Sequence, residues 1–419
     1  MNTKSVPPLP EPELPDPTMH ERLTHFREIL RYVPRFRDRV FVIAVDGAVV
    51  EDDNFPNLLL DIALLRSLSI RVALVHGAAH QIRKYASQLQ VTPSDLDGTG
   101  VTDKETLQIA ITAANRVTHE ILEGLSANDL RACCPNAVVA HPAGILGGTD
   151  HLFTGKVDRV DTGLLQILLE HDIIPVIPPI GIDGTGSSFR LNSDAVAVEL
   201  AKALRAVKLV YLNTEGGVRG PAGVVRQLTV QEAEAFLKRH KGELTRETTT
   251  KLTHAVRAGK EGVERIHIID GREQEGLLGE VFSNEGIGTL VYANEYQAIR
   301  PAQKKDVRAL FTLIQHGVQN DELVKRNRAE LEKNIADYFV FEVDRNPVAC
   351  AALHVYPEQN VGELASVKVN ERYEGQGIGG RLIRYAESLA RSKGLSRLFL
   401  LSTQAGNYFE QKGGFKLGT

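Results

Sequence analysis

From residue 21 to about 295, short β-branched runs end repeatedly in a glycine or a turn and alternate with stretches of helical period. The runs are "VFVIAVDG" (40–47), "IRVALVHG" (70–77), "NAVVAHP" (136–142), "IIPVIPPIG" (173–181), "VKLVYLNTEGG" (207–217) and "RIHIIDG" (265–271). A strand that is apolar on both faces can offer neither to water, so helices must cover both sides of a parallel sheet. The pattern predicts a three-layer α/β/α sandwich. Ligands of such sheets sit at the carboxyl ends of the strands, where Gly47, Gly77, Gly181 and Gly217 are expected to cluster.

Around "GIGTLVYANEYQAIRPA" (286–302) the rhythm changes and a smaller unit begins. Its predicted order is strand 297–300, helices near 304–316 and 327–337, then strands 338–343, 347–355 and 361–369. A helix to about 393, strand 396–402 and a short helix before "GGFKLGT" follow. "YFVFEV" and "VACAALHV" flank Asp344, Arg345 and Asn346, a turn-forming trio that predicts a hairpin. The division read from the sequence is a Pro-rich, disordered leader (1–20), a large domain (21–295) and a smaller one (296–419), with no internal repeat.

Composition narrows the classes. Apolar residues at 42% and charged residues at 24% describe an ordinary globular chain. A net charge of -4 with both signs scattered leaves no footprint for nucleic acid and no polybasic membrane patch, so small-molecule partners are expected. No run approaches the roughly 18 apolar residues of a membrane span, and the N-terminus has neither a signal-peptide nor a transit-peptide pattern. A cytoplasmic protein is expected. Among the three cysteines, the neighbours Cys133 and Cys134 cannot readily bridge, and the spacing suggests reduced thiols rather than metal ligands.

The densest chemistry lies in "YEGQGIGGRLI" (373–383). Gly375, Gly377 and Gly380 satisfy G-x-G-x-x-G, but "NERYE" separates strand from glycine, and the following strand "SRLFLLSTQ" ends without the carboxylate that would hold a ribose. The Gly-Lys-Ser/Thr of a Walker loop is absent. What remains is an anion nest: glycines let successive backbone N–H groups converge, and the helix starting near Gly379 adds its positive end. A pyrophosphate fits there; a glycine-rich turn with no ligand is the alternative. Leu382, Ile383, Ala386, Leu389 and Ala390 recur at helical spacing and would hold the loop against the sheet.

Strand "GELASVKV", loop "EGQGIGG", helix "RLIRYAESLARSKG", strand "LFLLST" and "NYFEQKGGF" together resemble the acetyl-CoA core of the GCN5-related N-acetyltransferases. In that family the loop reads Arg/Gln-x-x-Gly-x-Gly/Ala. Gly377 and Gly379 fill the glycine positions, whereas Glu374 stands where Arg or Gln is usual and sets a negative charge beside a negative ligand. The resemblance implies acetyl-CoA as co-substrate, no metal, and a cofactor site made of Val367, Val369, Gly375, Gln376, Gly377, Ile378, Gly379 and Gly380.

The larger domain resembles the amino-acid kinase fold, most closely N-acetylglutamate kinase, through "GVTDKETLQIA" (100–110), "DTGLLQILLEHDIIPVIPPIG" (161–181), "LNSDAVAVELAKALRAVKLVYLNTEGGV" (191–218) and "VERIHIIDGREQEGLLGEVFSNEGIGTLV" (263–291). Those kinases end the first strand with Lys-x-Gly-Gly. This chain has "AVDG", with Asp46 and no lysine; Asp194 survives in "NSD", and Lys251 is a later basic candidate. Phosphoryl transfer needs its electrostatic clamp complete, so a pseudokinase is expected.

A kinase-like domain without its lysine, followed by an acetyltransferase domain, is similar to the bacterial N-acetylglutamate synthases over residues 21–419. This implies acetyl transfer to the α-amine of L-glutamate and control by L-arginine. Glu363 would act as base through a water, the N–H near Val367 would polarise the thioester, and Ser402 would protonate the departing sulfur. Arg326 and Ser366 would hold the substrate, with Lys325 and Arg328 as neighbours able to substitute. The arginine site implied is Tyr32, His267, Glu280, Gly286 and Gly288, and the synthases assemble through the first domain, commonly as hexamers. Each residue has a plainer reading: a core histidine for His267, solvated charges for Glu280, Glu363 and Arg326, a turn residue for Ser402. The chain stops at "FKLGT", where that family continues with a strand bearing a second substrate arginine, so the smaller domain is expected to lack its last strand. A bifunctional synthase/kinase and a non-catalytic arginine sensor with a decayed acetyltransferase half stand as alternatives.

Overall fold

The computed structural model describes residues 34, 36–220, 223–282, 286–293, 297–320, 322–343, 346–374, 377–401, 409–410 and 414–416. The chain divides into two compact units, Met1–Ala293 and Asn294–Thr419.

The strands of the first unit's main sheet are β1 (Val40–Val45), β2 (Arg71–His76), β3 (Ala132–Cys133), β4 (Ile174–Ile177), β5 (Lys208–Asn213), β6 (Gln227–Thr229), β7 (Arg265–Asp270) and β8 (Thr289–Tyr292). They are ordered β6-β8-β7-β5-β1-β2-β4-β3, parallel from β7 through β3, with β8 antiparallel to β7. The helices are α1 (Phe55–Ser67), α2 (Ala79–Leu89), α3 (Lys104–Ala127), α4 (Thr162–Glu170), α5 (Ser193–Ala203), α6 (Val230–Arg239), α7 (Arg246–Lys260) and α8 (Gly276–Phe282). Alternation along β1 shows why both layers are needed. Val42 and Ala44 enter a core shared with α4, α5 and α7, whereas Phe41, Ile43 and Val45 enter another shared with α1, α2 and α3. Each face is worth its own helix layer because burial of apolar area is the main favourable term in folding.

Two runs depart from the expected parallel sheet. Val138–Pro142 lies in a separate four-stranded sheet with Gly155–Val160, Ile180–Ile182 and Ser188–Arg190, antiparallel to Gly155–Val160. Only alternate residues at its start are buried, Val138 and Ala140, so one face meets the core. The run 173–181 splits into β4 and Ile180–Ile182 at Pro178 and Pro179, which have no N–H to donate to a ladder. Gly181 is therefore packed against Ala140 and Leu191, and Gly217 against Val224, Thr289 and Gly288. Gly47 and Gly77 alone of the four are neighbours.

The second unit is a mixed sheet of β9 (Gln297–Pro301), β10 (Tyr338–Val343), β11 (Asn346–Tyr356), β12 (Val361–Val369) and β13 (Arg397–Phe399), in that order. Neighbours are antiparallel except the parallel pair β12 and β13. Its helices are α9 (Val307–Gln319), α10 (Arg328–Lys333) and α11 (Ile378–Ser392). Val307, Leu310 and Ile314 of α9 pack with Val340, Cys350 and Ala352. On α11 the apolar stripe Leu382, Ile383, Ala386 and Ala390 is buried, Tyr385 meets Phe339 with ring centroids 5.0 Å apart, and Arg381 lies 4.7 Å from the Phe341 ring. Of the hairpin trio, Asn346 pairs with Val343, and Asp344 and Arg345 lie outside the described residues.

Candidate functional site

The second unit's chemistry is organised by one irregular strand. Cys350 stands opposite Lys368 but Ala352 opposite Ala365, so Ser366 and Val367 share the place across from Ala351. Two residues opposite one is a β-bulge, which removes part of the ladder and re-aims the local N–H groups. Ser366 carries the left-handed φ of 52° that such a turn imposes. The Cys350 thiol donates to the Ser366 carbonyl at 3.5 Å, and burial pushes that thiol up to about 12, leaving it inert. On its other edge β12 meets β13 only over Val361–Arg397, Gly362–Leu398 and Glu363–Phe399 among the described residues. From Leu364 onward that edge of the strand has no pairing among the described residues, and an extended ligand can add to it as a strand does.

That edge leads to the start of α11. Gly377 is the N-cap, at φ 74° and ψ 10°, a left-handed conformation that glycine adopts without strain. Ile378, Gly379 and Gly380 form the first turn, whose N–H groups lack intrahelical acceptors and suit an anion. A Cβ at Gly380 would meet only the end of Arg384, at 3.6 Å. Gly375 and Gln376 lie outside the described residues. The unusual Glu374 is not an isolated charge: its carboxylate lies 3.5 Å from the Lys368 ammonium, which also bonds Glu322 at 2.7 Å.

Beside the bulge, one sheet face carries the polar groups. Glu363 stands directly across from His354, and the Tyr356 hydroxyl donates to Glu363 Oε2 at 2.8 Å. That bond to a carboxylate pushes the Tyr356 phenol up. His354 Nδ1 donates to Asp337 Oδ2 at 2.9 Å, its Nε2 is buried without a hydrogen bond among the described residues, and the Tyr338 ring stands edge-on at 6.1 Å. Burial raises the Tyr338 phenol, while its contact with the Ser366 side chain and the charge of Arg326 pull it back. Arg326 acts on both tyrosines. It precedes α10, whose start is fixed by a reciprocal capping box between Asn327 and Glu330. Lys325 and Arg328 are exposed whereas Arg326 is half-buried, which separates it from the two neighbours.

The structure therefore brings Glu363, Ser366 and Arg326 together and adds Tyr338, His354, Tyr356 and Asp337. The signal for the added residues was the period-two placing of 354 and 356 on one strand; only the register shows that they face Glu363. Val367 and Val369 lie on the bulged strand, and Ser402 lies outside the described residues.

In the first unit the carboxyl ends of β1 and β2 are occupied by an ion knot. Lys251 Nζ lies 2.9 Å from Asp46 Oδ1 and 3.3 Å from Asp194 Oδ1, and it is 3% exposed. Asn192 caps α5 through its side chain and so sets Asp194 in the first turn. Burial raises Asp194 to about 6 against the pull of Lys251, with Asp46 adding to the rise. Gln81 packs over Gly47 so closely that a Cβ there would fall 2.0 Å from its Oε1. An acid at the carboxyl end of the strand, with the Lys251 ammonium already neutralised, opposes a polyphosphate.

A third cluster joins β7 and α8. His267 Nδ1 donates to Glu280 Oε1 at 2.8 Å, and the Gly288 N–H donates to Glu280 Oε2 at 3.0 Å. Burial pushes His267 down to about 4, helped by the charge of Lys208, so the ring is neutral and Nε2 accepts from Lys208 at 3.3 Å. Burial raises Glu280, but the bonds from His267 and Gly288 outweigh it and hold the carboxyl below its ordinary value. Gly286 presses on that carboxylate, where a Cβ would come within 2.4 Å, and the Phe36 ring lies 5.2 Å from the Lys208 ammonium. Glu280, 3% exposed, is not a solvated charge, and His267, Glu280, Gly286 and Gly288 lie together. Lys208 was missed because a lysine opening an apolar strand reads as an edge residue; Tyr32 lies outside the described residues.

A strand bulge running into a glycine-capped helix defines an acetyltransferase unit, and the two-sided parallel sandwich that precedes it in the chain defines an amino-acid-kinase-type unit. Residues 39–270 match the amino acid kinase family and residues 304–415 the acetyltransferase (GNAT) family. The amino-acid acetyltransferase of Serratia proteamaculans is 33% identical over 94% of this chain and 93% of its own length, and that of Escherichia coli K12 is 32% identical over 94% and 91%. N-acetylglutamate synthase from Neisseria gonorrhoeae, complexed with coenzyme A and L-arginine, superposes with a TM-score of 0.83 at 32% identity, covering 93% of this chain and 92% of that one. The same synthase complexed with coenzyme A and N-acetyl-glutamate gives 0.63 at 33% identity, covering 93% and 91%. The chain belongs to the amino-acid acetyltransferase family and is an acyltransferase. Among the described residues no helix is long and apolar enough to cross a membrane.

Proposed function

We propose that the chain makes N-acetyl-L-glutamate from acetyl-CoA and L-glutamate, the first step of arginine biosynthesis, and that L-arginine inhibits it through the first unit. The observation that supports this reading is the β12 bulge at Ser366 and Val367, on the strand that carries Glu363 and leads along the chain to the glycine cap of α11. Acetyl-CoA is the co-substrate: its diphosphate suits the N–H groups at Gly377, Ile378, Gly379 and Gly380, and its extended arm suits the edge at Val367 and Val369.

The α-amine of glutamate is largely ammonium at neutral pH and cannot attack a thioester until it loses a proton. Glu363 takes that proton through a water, with Tyr356 orienting the carboxylate. The Val367 N–H, turned by the bulge, stabilises the oxygen that gains charge in the tetrahedral intermediate. Ser402 returns a proton to the leaving thiolate. Arg326 pairs with a substrate carboxylate, and Ser366 with Tyr338 completes that contact. Acetyl-CoA consumption with glutamate, set against other amino acids, tests the assignment; transfer to none of them would defeat it.

Two results follow. Arg326→Met raises the KM for glutamate by about tenfold or more, the cost of a lost charge-assisted pair, and leaves the KM for acetyl-CoA in place; equal rises in both would remove Arg326 from the glutamate site. Arginine is held by the neutral His267, Glu280, and the glycines at 286 and 288, with Lys208 fixing the imidazole. Calorimetric titration of Glu280→Gln is expected to show arginine affinity reduced by about tenfold or more, the worth of a charged contact, and unaltered binding would place the ligand elsewhere. The first unit is the arginine-sensing pseudokinase and the assembly surface of a homo-oligomer, a hexamer, which sedimentation analysis of the full chain tests.

A further inference from the structure

The glycine loop carries an acid at the position where a cation or an amide is usual, and its partner lies on the preceding strand. We propose that Lys368 is the side-chain cation of the acetyl-CoA diphosphate site, held by Glu374 in the free protein and released to the phosphates when the donor binds. The inference rests on the acetyl-CoA reading above and deepens it.

Three observations carry it. Lys368 is the penultimate residue of β12, so the strand that bears the bulge also delivers this ammonium toward the loop. The Lys368 side chain is 6% exposed and its ammonium bonds Glu322 at 2.7 Å, yet it stands 3.5 Å from Glu374 Oε1, whose side chain is 56% exposed. The pair thus reaches from the sheet interior to the solvent-facing residue just ahead of the glycines. Thirdly, the two carboxylates outnumber the one ammonium. A surplus negative charge beside a diphosphate is unfavourable, and it is relieved if the longer, more exposed contact is the one that opens.

The energetics favour the exchange. The Glu374 end of the pair is open to solvent and weakly held, whereas an ammonium paired with phosphate oxygens makes a stronger charge-assisted bond. Glu322 keeps Lys368 in place while Glu374 swings clear. Burial works against the charged form of Lys368, but Glu322 and Glu374 outweigh it and the group stays an ammonium.

The test compares acetyl-CoA with S-acetylpantetheine, a thioester that lacks the diphosphate, on the full chain. For Lys368→Met the ratio of kcat/KM between acetyl-CoA and S-acetylpantetheine is expected to fall about tenfold. Glu374→Gln tightens coenzyme A in calorimetric titration, and Glu374→Arg in the Lys368→Met background restores the lost affinity. A Lys368→Met enzyme that loses both donors equally, or neither, overturns the proposal, as does weaker binding by Glu374→Gln. Glu374 is exposed, so Glu374→Gln answers the question even where Lys368→Met fails to fold. A parent chain that binds no coenzyme A at all defeats the acetyl-CoA reading itself, a result distinct from parent binding with no Lys368 effect.

Discussion

Glu363→Gln lowers the rate of acetyl transfer to glutamate by about 10²–10⁴-fold, the usual contribution of a positioned general base. The amide keeps the size of the carboxyl and can still accept the Tyr356 hydroxyl, so the face beside the bulge stays assembled. What it cannot do is take a proton from the ammonium. Only the small fraction of glutamate already present as free amine then reacts, and the residual rate climbs about tenfold per pH unit below the amine's own titration. Coenzyme A binding survives, because the glycine cap of α11 and the strand edge do not involve this carboxylate. Steady-state kcat across pH 6–9 with calorimetric binding of coenzyme A reads both effects. A variant within threefold of the parent at neutral pH would remove Glu363 from proton transfer.

Elements whose cause is local were legible in the sequence. The runs that became β1, β2, β5 and β7 are apolar on both faces, and α11 shows its buried stripe as plain periodicity. The loop at Gly377 announced itself because a left-handed glycine cap followed by two glycines in the first turn is a local device. Features that depend on register were hidden. That His354 and Tyr356 face Glu363, and that Ser366 bulges, follow from which residues of β11 stand opposite β12. The sequence marks Glu374 as an anomaly, but its neutralisation by Lys368 requires strand and loop to be placed together. In the first unit, Lys208 and Lys251 reach their partners across about 60 to 200 residues of chain, and no spacing rule spans that separation. The misplaced strand at 138–142 has the same origin: a short apolar run fits either sheet, and pairing with Gly155–Val160 decides it.

Lys251→Met destabilises the first unit by about 3–5 kcal/mol, the cost of leaving buried carboxylates without their counter-charge. The ammonium is the shared partner of Asp46 and Asp194, and Glu247, one helical turn earlier on α7, adds a third carboxyl to the same cluster. Burial, then the nearby charge of Asp46, raises Glu247 to about 8 from an ordinary 4.5. Between those values the folded chain keeps a proton that the unfolded chain has released, so stability is full below the lower value and is lost as pH rises through the upper one. Asp194, raised from 3.8 to about 6, contributes in the same sense over its own lower window. Glu247→Gln removes the larger part of that slope: its melting temperature rises above the parent's at pH 8, and the gap closes toward pH 5. Removing Lys251 has the opposite effect and steepens the fall with pH, since the carboxyls then lose the charge that had favoured their ionised forms. Melting curves of the parent and the two variants from pH 5 to 9 separate these expectations, and a Glu247→Gln curve parallel to the parent's would exclude Glu247 from the cluster. The same knot explains why the sandwich tolerates an acid at Asp46: the Lys251 ammonium neutralises that carboxylate and ties α7 to the end of β1 and to α5.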